Sequence, residues 1–128
     1  MPAPYSGPID LTGKVAIVSG ASRGIGRAIS ETLAREGASV AIIDVLSTAD
    51  TTLAVEATGR ESLNIPCDIQ KKADIQKAID QVSKTWGHID VLVNNAAVLD
   101  ISFFCELPRH KRRKLNIKEV KQEYYYGD

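Results

Sequence analysis

An α/β architecture, a doubly wound parallel sheet of about four strands, follows from two features of this 128-residue chain. Short apolar runs alternate with amphipathic segments, and the first run leads into a glycine-rich turn that opens a helix: Val18-Ser19-Gly20-Ala21-Ser22-Arg23-Gly24-Ile25-Gly26. Strands joined through helices over short connections pair in parallel, because each right-handed crossover returns the chain to the same end of the sheet. Helices then cover both faces, so the strands read as continuous apolar runs.

Residues 14–19, between Gly13 and Gly20, form the first run and are expected at the centre of the sheet. From Gly24 onward Ile25, Ala28, Ile29, Leu33 and Ala34 recur at helical spacing, until Gly37 stops the helix. Residues 39–45 are a second strand carrying Asp44 near its end, and 48–58 a second helix. Residues 62–67 supply a third, weaker strand before Asp68. Ile75, Ala78, Ile79, Val82 and Trp86 then share one face of a helix whose polar positions hold Asp74, Lys77, Asp80 and Lys84. Gly87 ends that helix, and residues 89–93 make a fourth strand that delivers Asn94 and Asn95. Ligands in such sheets sit beyond the carboxyl ends of the strands.

With 44% apolar residues the chain can bury the core of one domain. Its 16 basic and 16 acidic side chains balance, which removes any whole-molecule electrostatic argument for nucleic acid or an anionic membrane. Met1 to Asp10 holds three prolines and no apolar stretch for a signal peptide or membrane span, so a cytoplasmic protein is expected. Cys67 and Cys105 lack metal-ligand spacing and are expected to be reduced and packed. His88 and His110 read as isolated, pointing to neither a metal site nor a catalytic dyad.

Three glycines at this spacing each answer a physical need. Gly20 permits a sharp exit from the strand, Gly24 lets the backbone approach a diphosphate, and Gly26 lets the helix pack close to the sheet. Free N–H groups and the dipole of the following helix favour an anion, so this reads as the phosphate turn of a Rossmann-type domain. Ser22, Arg23 and Ile25 complete the candidate turn. Asp44 stands 18 residues after Gly26, where a carboxylate can accept hydrogen bonds from both hydroxyls of an adenosine ribose. A 2'-phosphate would meet it as a like charge, and two unit charges ~4 Å apart at an effective dielectric of ~20 repel by roughly 4 kcal/mol. NAD is therefore expected over NADP, with Arg23 the one turn residue able to reach a 2'-phosphate.

Gly20-x-x-x-Gly24-x-Gly26, Asp68 after the third strand and Asn94-Asn95-Ala96-Ala97 after the fourth together resemble the short-chain dehydrogenase/reductase family, over residues 10 to about 105. The resemblance implies that Asp68 and Ile69 contact the adenine, that Asn95 and Ala96 line the nucleotide, and that Asn94 ties the central sheet together. Ala97 stands where the family usually has glycine, a change also found in dehydrogenases resembling the sugar-alcohol branch. The family's catalytic Tyr-x-x-x-Lys, in which the Lys lowers the pKa of the proton-transferring Tyr, has no match here. Tyr124, Tyr125 and Tyr126 have only Gly127 and Asp128 after them. Leu115-Asn116-Ile117-Lys118 resembles the segment that holds a proton-relay Asn, which makes Asn116 a relay remnant.

The expected organisation is a flexible arm at 1–10, a partial NAD(P)-binding domain at 11–105 and an atypical basic tail at 106–128. That tail holds seven of the 16 basic side chains and four of the 16 acidic ones. It reads as a solvated helix face with Leu115, Ile117 and Val120 turned inward, rather than as a nucleic-acid patch. The family resemblance implies an NAD(P)-dependent oxidoreductase that interconverts a small alcohol, such as a polyol, and a carbonyl by hydride transfer. The chain itself is expected to be a shortened form that binds the cofactor without turnover. The alternative is a catalytically dead nucleotide-binding or interaction module. An unpaired edge along residues 89–93 would favour a homo-oligomer or poor solubility.

Overall fold

The computed structural model describes residues 9–97. Four parallel strands, β1 (Val15–Ser19), β2 (Ser39–Asp44), β3 (Ser62–Pro66) and β4 (Val91–Val93), lie in the order β3-β2-β1-β4. The three connecting helices are α1 (Gly24–Arg35), α2 (Ala49–Glu56) and α3 (Lys72–Trp86). Register runs Val15 against Ser39, Val40 against Ser62, and Ala16 against Val91. Chain order reverses at β1, between β2 and β4, the switch point at which such sheets bind ligands in a crevice beyond the carboxyl ends of the strands. The N-terminal arm through residue 8, Cys105, Asn116, Tyr124 to Tyr126 and the basic tail lie outside the described residues.

Period-two alternation divides β1 and β2 between two cores. Val15, Ile17, Ala41, Ile43, Ile65 and Cys67 pack with Ala78 and Val82 of α3 on one face. Val18, Val40 and Ile42 pack with Ala34 of α1 and Val55 of α2 on the other. Every residue of β1 is buried, as a central parallel strand requires. The Cys67 thiol is free, buried in the first core, and its pKa is raised by that burial and then by Asp74 and Asp68, which makes it an unreactive packing residue.

The helix stops have local causes. Gly37 (φ +111°) closes α1 with Gly37 N–H to Ala34 O at 3.0 Å and Ala38 N–H to Leu33 O at 3.0 Å, the paired bonds of a Schellman motif. Gly87 (φ +82°) ends α3 in the left-handed conformation, with its N–H on Ser83 O at 2.8 Å. α2 is shorter than the span 48–58 because Thr58 and Gly59 leave the helix in a turn. β4 is likewise shorter than 89–93, although Asp90 N–H already meets Val15 O at 2.9 Å.

Two sequence expectations are corrected. Ile25 is 73% exposed and Ala28 is exposed as well, so neither belongs to the inner face of α1. That face is lined by Gly26, Ser30 and Ala34, small residues at intervals of four that let the helix approach the sheet closely. His88 is not isolated: its Nε2 lies 3.0 Å from Asp90 Oδ2 and 3.0 Å from Gly13 O. Asp90 Oδ2 also accepts Val15 N–H at 2.8 Å, so the pair clamps the amino ends of β1 and β4, away from the carboxyl-end crevice.

No helix among the described residues is long and apolar enough to cross a membrane. Ile42 is fully buried between β1 and β3, whereas Leu53 is an exposed residue of α2. Chemical denaturation is expected to show Ile42→Ala costing about 2–5 kcal/mol. Leu53→Ala should stay within about 0.5 kcal/mol.

Candidate functional site

The chain leaves β1 at Ser19 and turns through Gly20 (φ +66°) toward the start of α1. A Cβ on Gly20 would lie 2.7 Å from Ala96 Cα, so only glycine lets the turn press against the segment that follows β4. A Cβ on Gly26 would strike Gly20 O and stand 2.6 Å from Asn95 Nδ2, which fixes the first turn of α1 against the loop. Gly24 differs from both. It has φ +59°, and nothing lies within 4 Å of where its Cβ would be. Its backbone therefore faces open space.

That open space sits at a helix N-terminus. Arg27 N–H is the first amide of α1 to bond back, to Arg23 O at 3.4 Å, so the amides of Gly24, Ile25 and Gly26 precede the intrahelical ladder. Arg23 is exposed and extended at the N-cap, without a side-chain cap bond, and the first turn holds no acidic residue. These donors and the open approach at Gly24 fit a diphosphate.

Asp44 closes β2 beside this turn. Its Oδ2 accepts Ser22 N–H at 3.0 Å and its Oδ1 accepts Leu46 N–H at 2.9 Å, which orients both oxygens and leaves each a further lone pair. Partial burial pushes the Asp44 pKa up, but hydrogen bonds from Leu46, Ser22 and Val45 outweigh it and hold the carboxyl below the usual range. A fixed, ionised carboxylate next to helix-end amides suits a ribose adjoining a diphosphate.

The segment after β4 completes the wall. Asn95 Nδ2 donates to Ser19 O at 3.1 Å and to Gly20 O at 3.0 Å. Ser19 Oγ accepts Asn95 N–H at 3.1 Å and Ala96 N–H at 3.0 Å, and it donates to Val93 O at 3.3 Å. The tying role expected of Asn94 thus falls to Asn95, while Asn94 is exposed. The reason is positional: the residue one step further from β4 lies over the end of β1. Asp68 is half-buried beyond β3, its N–H on Asp74 Oδ2 at 3.0 Å and its Oδ1 accepting Gln70 N–H at 3.0 Å. Among the described residues no hydrogen bond joins Asp68 or Ile69 to the glycine turn, and Ile69 is 37% exposed.

Sequence reasoning missed two residues that hold this geometry. Ser19 was legible only as a polar residue ending an apolar strand, and Thr51 of α2 carried no local signal. Thr51 is fully buried, and its hydroxyl donates to Ala21 O at 2.7 Å. No group of three His, Cys, Asp or Glu residues among the described residues is placed to hold a metal ion.

Comparison with known proteins agrees with this arrangement. The family model described as short chain dehydrogenase matches residues 14–122. Sorbitol dehydrogenase of Cereibacter sphaeroides is 40% identical over 105 residues, covering 82% of this chain and 41% of that protein. A short-chain type dehydrogenase/reductase from Mycobacterium marinum superposes with a TM-score of 0.74 at 29% identity, over 81% of this chain and 43% of the other. A short chain dehydrogenase from Mycobacterium paratuberculosis bound to NAD gives 0.72 at 25% identity, over 80% and 43%. The chain spans less than half the length of these relatives. It belongs to the short-chain dehydrogenase family.

Proposed function

We propose that this chain binds NAD, in preference to NADP, as the cofactor half of an oxidoreductase that interconverts an alcohol and a carbonyl. The observation that carries this reading is the Asp44 carboxylate, held by Ser22 N–H and Leu46 N–H beside the open N-terminus of α1. In this arrangement the amides around Gly24 hold the diphosphate and Asp44 accepts the ribose hydroxyls. Ser22, Arg23 and Ile25 flank the diphosphate, Asp68 and Ile69 border the adenine, and Asn95 and Ala96 close the nucleotide side. Bound there, NAD would supply a hydride acceptor for the oxidation of an alcohol carbon. Small alcohols, sugar alcohols among them, are the proposed substrate class, supported by the likeness to a sorbitol dehydrogenase.

These 128 residues contain no Tyr-x-x-x-Lys, so we propose binding without turnover for this chain. Purified protein with NAD and sorbitol should form no NADH. Sustained NADH formation would overturn that part of the reading.

Titration followed by nicotinamide fluorescence should give NADH at least about tenfold tighter than NADPH, from the like-charge repulsion at Asp44. Tighter NADPH would remove the role given to that residue. Gly24→Asp, which puts a carboxylate and a Cβ into the open space, should abolish the calorimetric heat of NADH binding.

The lowered pKa of Asp44 sets a pH dependence. Because its folded value lies below the unfolded one, its contribution to stability is present above about pH 4 and lost as pH falls through the folded value. Between about pH 5 and pH 3 the parent should lose more thermal stability than Asp44→Asn. Equal losses would show that the carboxylate is not held as described.

A further inference from the structure

We propose that Thr51 is a positioning residue for the dinucleotide, acting through the peptide that joins Ala21 to Ser22. The carbonyl of that peptide accepts the Thr51 hydroxyl at 2.7 Å, and its N–H donates to Asp44 Oδ2 at 3.0 Å. One planar trans peptide is thus gripped on both edges, and C=O and N–H point in opposite directions across it. Thr51 Oγ1 also reaches Ser22 O at 3.3 Å, so a single hydroxyl addresses two successive carbonyls of the turn.

Three circumstances make this grip consequential. The turn carries positive-φ glycines at 20 and 24, so its backbone has rotational freedom that its own sequence does not restrain. Thr51 is fully buried, and Ala21 O would be left without its buried donor if the hydroxyl were removed. Rotation of the peptide to recover a partner would withdraw Ser22 N–H from Asp44. Both halves of the site would then shift: the turn facing the diphosphate and the carboxylate facing the ribose. α2 lies between β2 and β3 in the chain, so the second βα unit sets the shape of the loop that belongs to the first.

This inference rests on the cofactor reading above and is tested on the full 128-residue chain. Thr51→Val keeps the side-chain shape and deletes the donor, and Thr51→Ser keeps the donor. Calorimetry with NADH should show Thr51→Val about tenfold weaker than the parent and Thr51→Ser within about twofold. In ligand-free protein, amide exchange at Ser22 should be at least about tenfold faster in Thr51→Val and parent-like in Thr51→Ser. The effect of Thr51→Val on affinity should shrink in an Asp44→Ala background, where Ser22 N–H has lost its acceptor, which a general loss of packing would not produce. If Thr51→Val does not fold, Thr51→Cys, of similar size but a poor donor, should bind NADH at least about threefold more weakly. A parent that binds NADH together with parent-like affinity in Thr51→Val, or in Thr51→Cys where Thr51→Val does not fold, would overturn the inference and leave the cofactor reading intact. A parent that binds neither NADH nor NADPH would overturn both.

Discussion

The carbonyls at the end of β1 must be held by side chains from elsewhere, and the rest of the site depends on how that is done. Ser19 O and Gly20 O mark the point where a buried strand becomes a turn whose glycines impose little conformation of their own. Asn95 Nδ2 caps both carbonyls, and the Ser19 hydroxyl takes the amides of Asn95 and Ala96 in return. Buried or half-buried polar backbone is satisfied without water, and β4 is joined to β1 beyond the last strand pair. The close approach that results is why Gly20 and Gly26 tolerate no Cβ.

From that fixed point the site divides into two electrostatic halves. The start of α1 presents amides without an intrahelical partner, and its first turn holds no acidic residue, which makes a partial positive end. Asp44 presents a full negative charge, oriented by two backbone donors. A ligand with a diphosphate next to a sugar diol meets both halves with the correct polarity. The two lie adjacent because β1 and β2 are paired in register, Ser19 opposite Ile43, which brings the ends of the strands level.

Most of the architecture was legible in the residues. Continuous apolar runs at β1 and β2 announced strands covered on both faces, and Gly37 and Gly87 marked helix ends that the structure closes with left-handed residues. The helix face of α3 was readable because Ala78 and Val82 recur at the helical period. α1 was read less well. Its apolar repeat suggested an inward Ile25, which is exposed; Gly26 and Ala34 were anticipated, Ile29 and Leu33 pack against the same core, and Ser30 was the missed member of the buried face. A serine carries no hydropathy signal, so its burial was invisible in the apolar repeat.

Sequence order alone placed the glycine turn, Asp44 and Asn95 at the carboxyl ends of strands, which parallel pairing brings to one side of the sheet, while the place of Ala96 came from the family resemblance. It could not divide the labour between Asn94 and Asn95, since which of two neighbouring amides faces β1 depends on where β4 stops. Nor could it find the pairing of His88 with Asp90 or the reach of Thr51 to Ala21. Thr51 and Ala21 are 30 residues apart, a separation with no period, and meet only once α2 has docked, whereas His88 and Asp90 are near neighbours in the chain that meet where β4 comes alongside β1. Tertiary packing therefore decided how the turn is held, while the spacing of glycines and apolar runs had already decided where it would be.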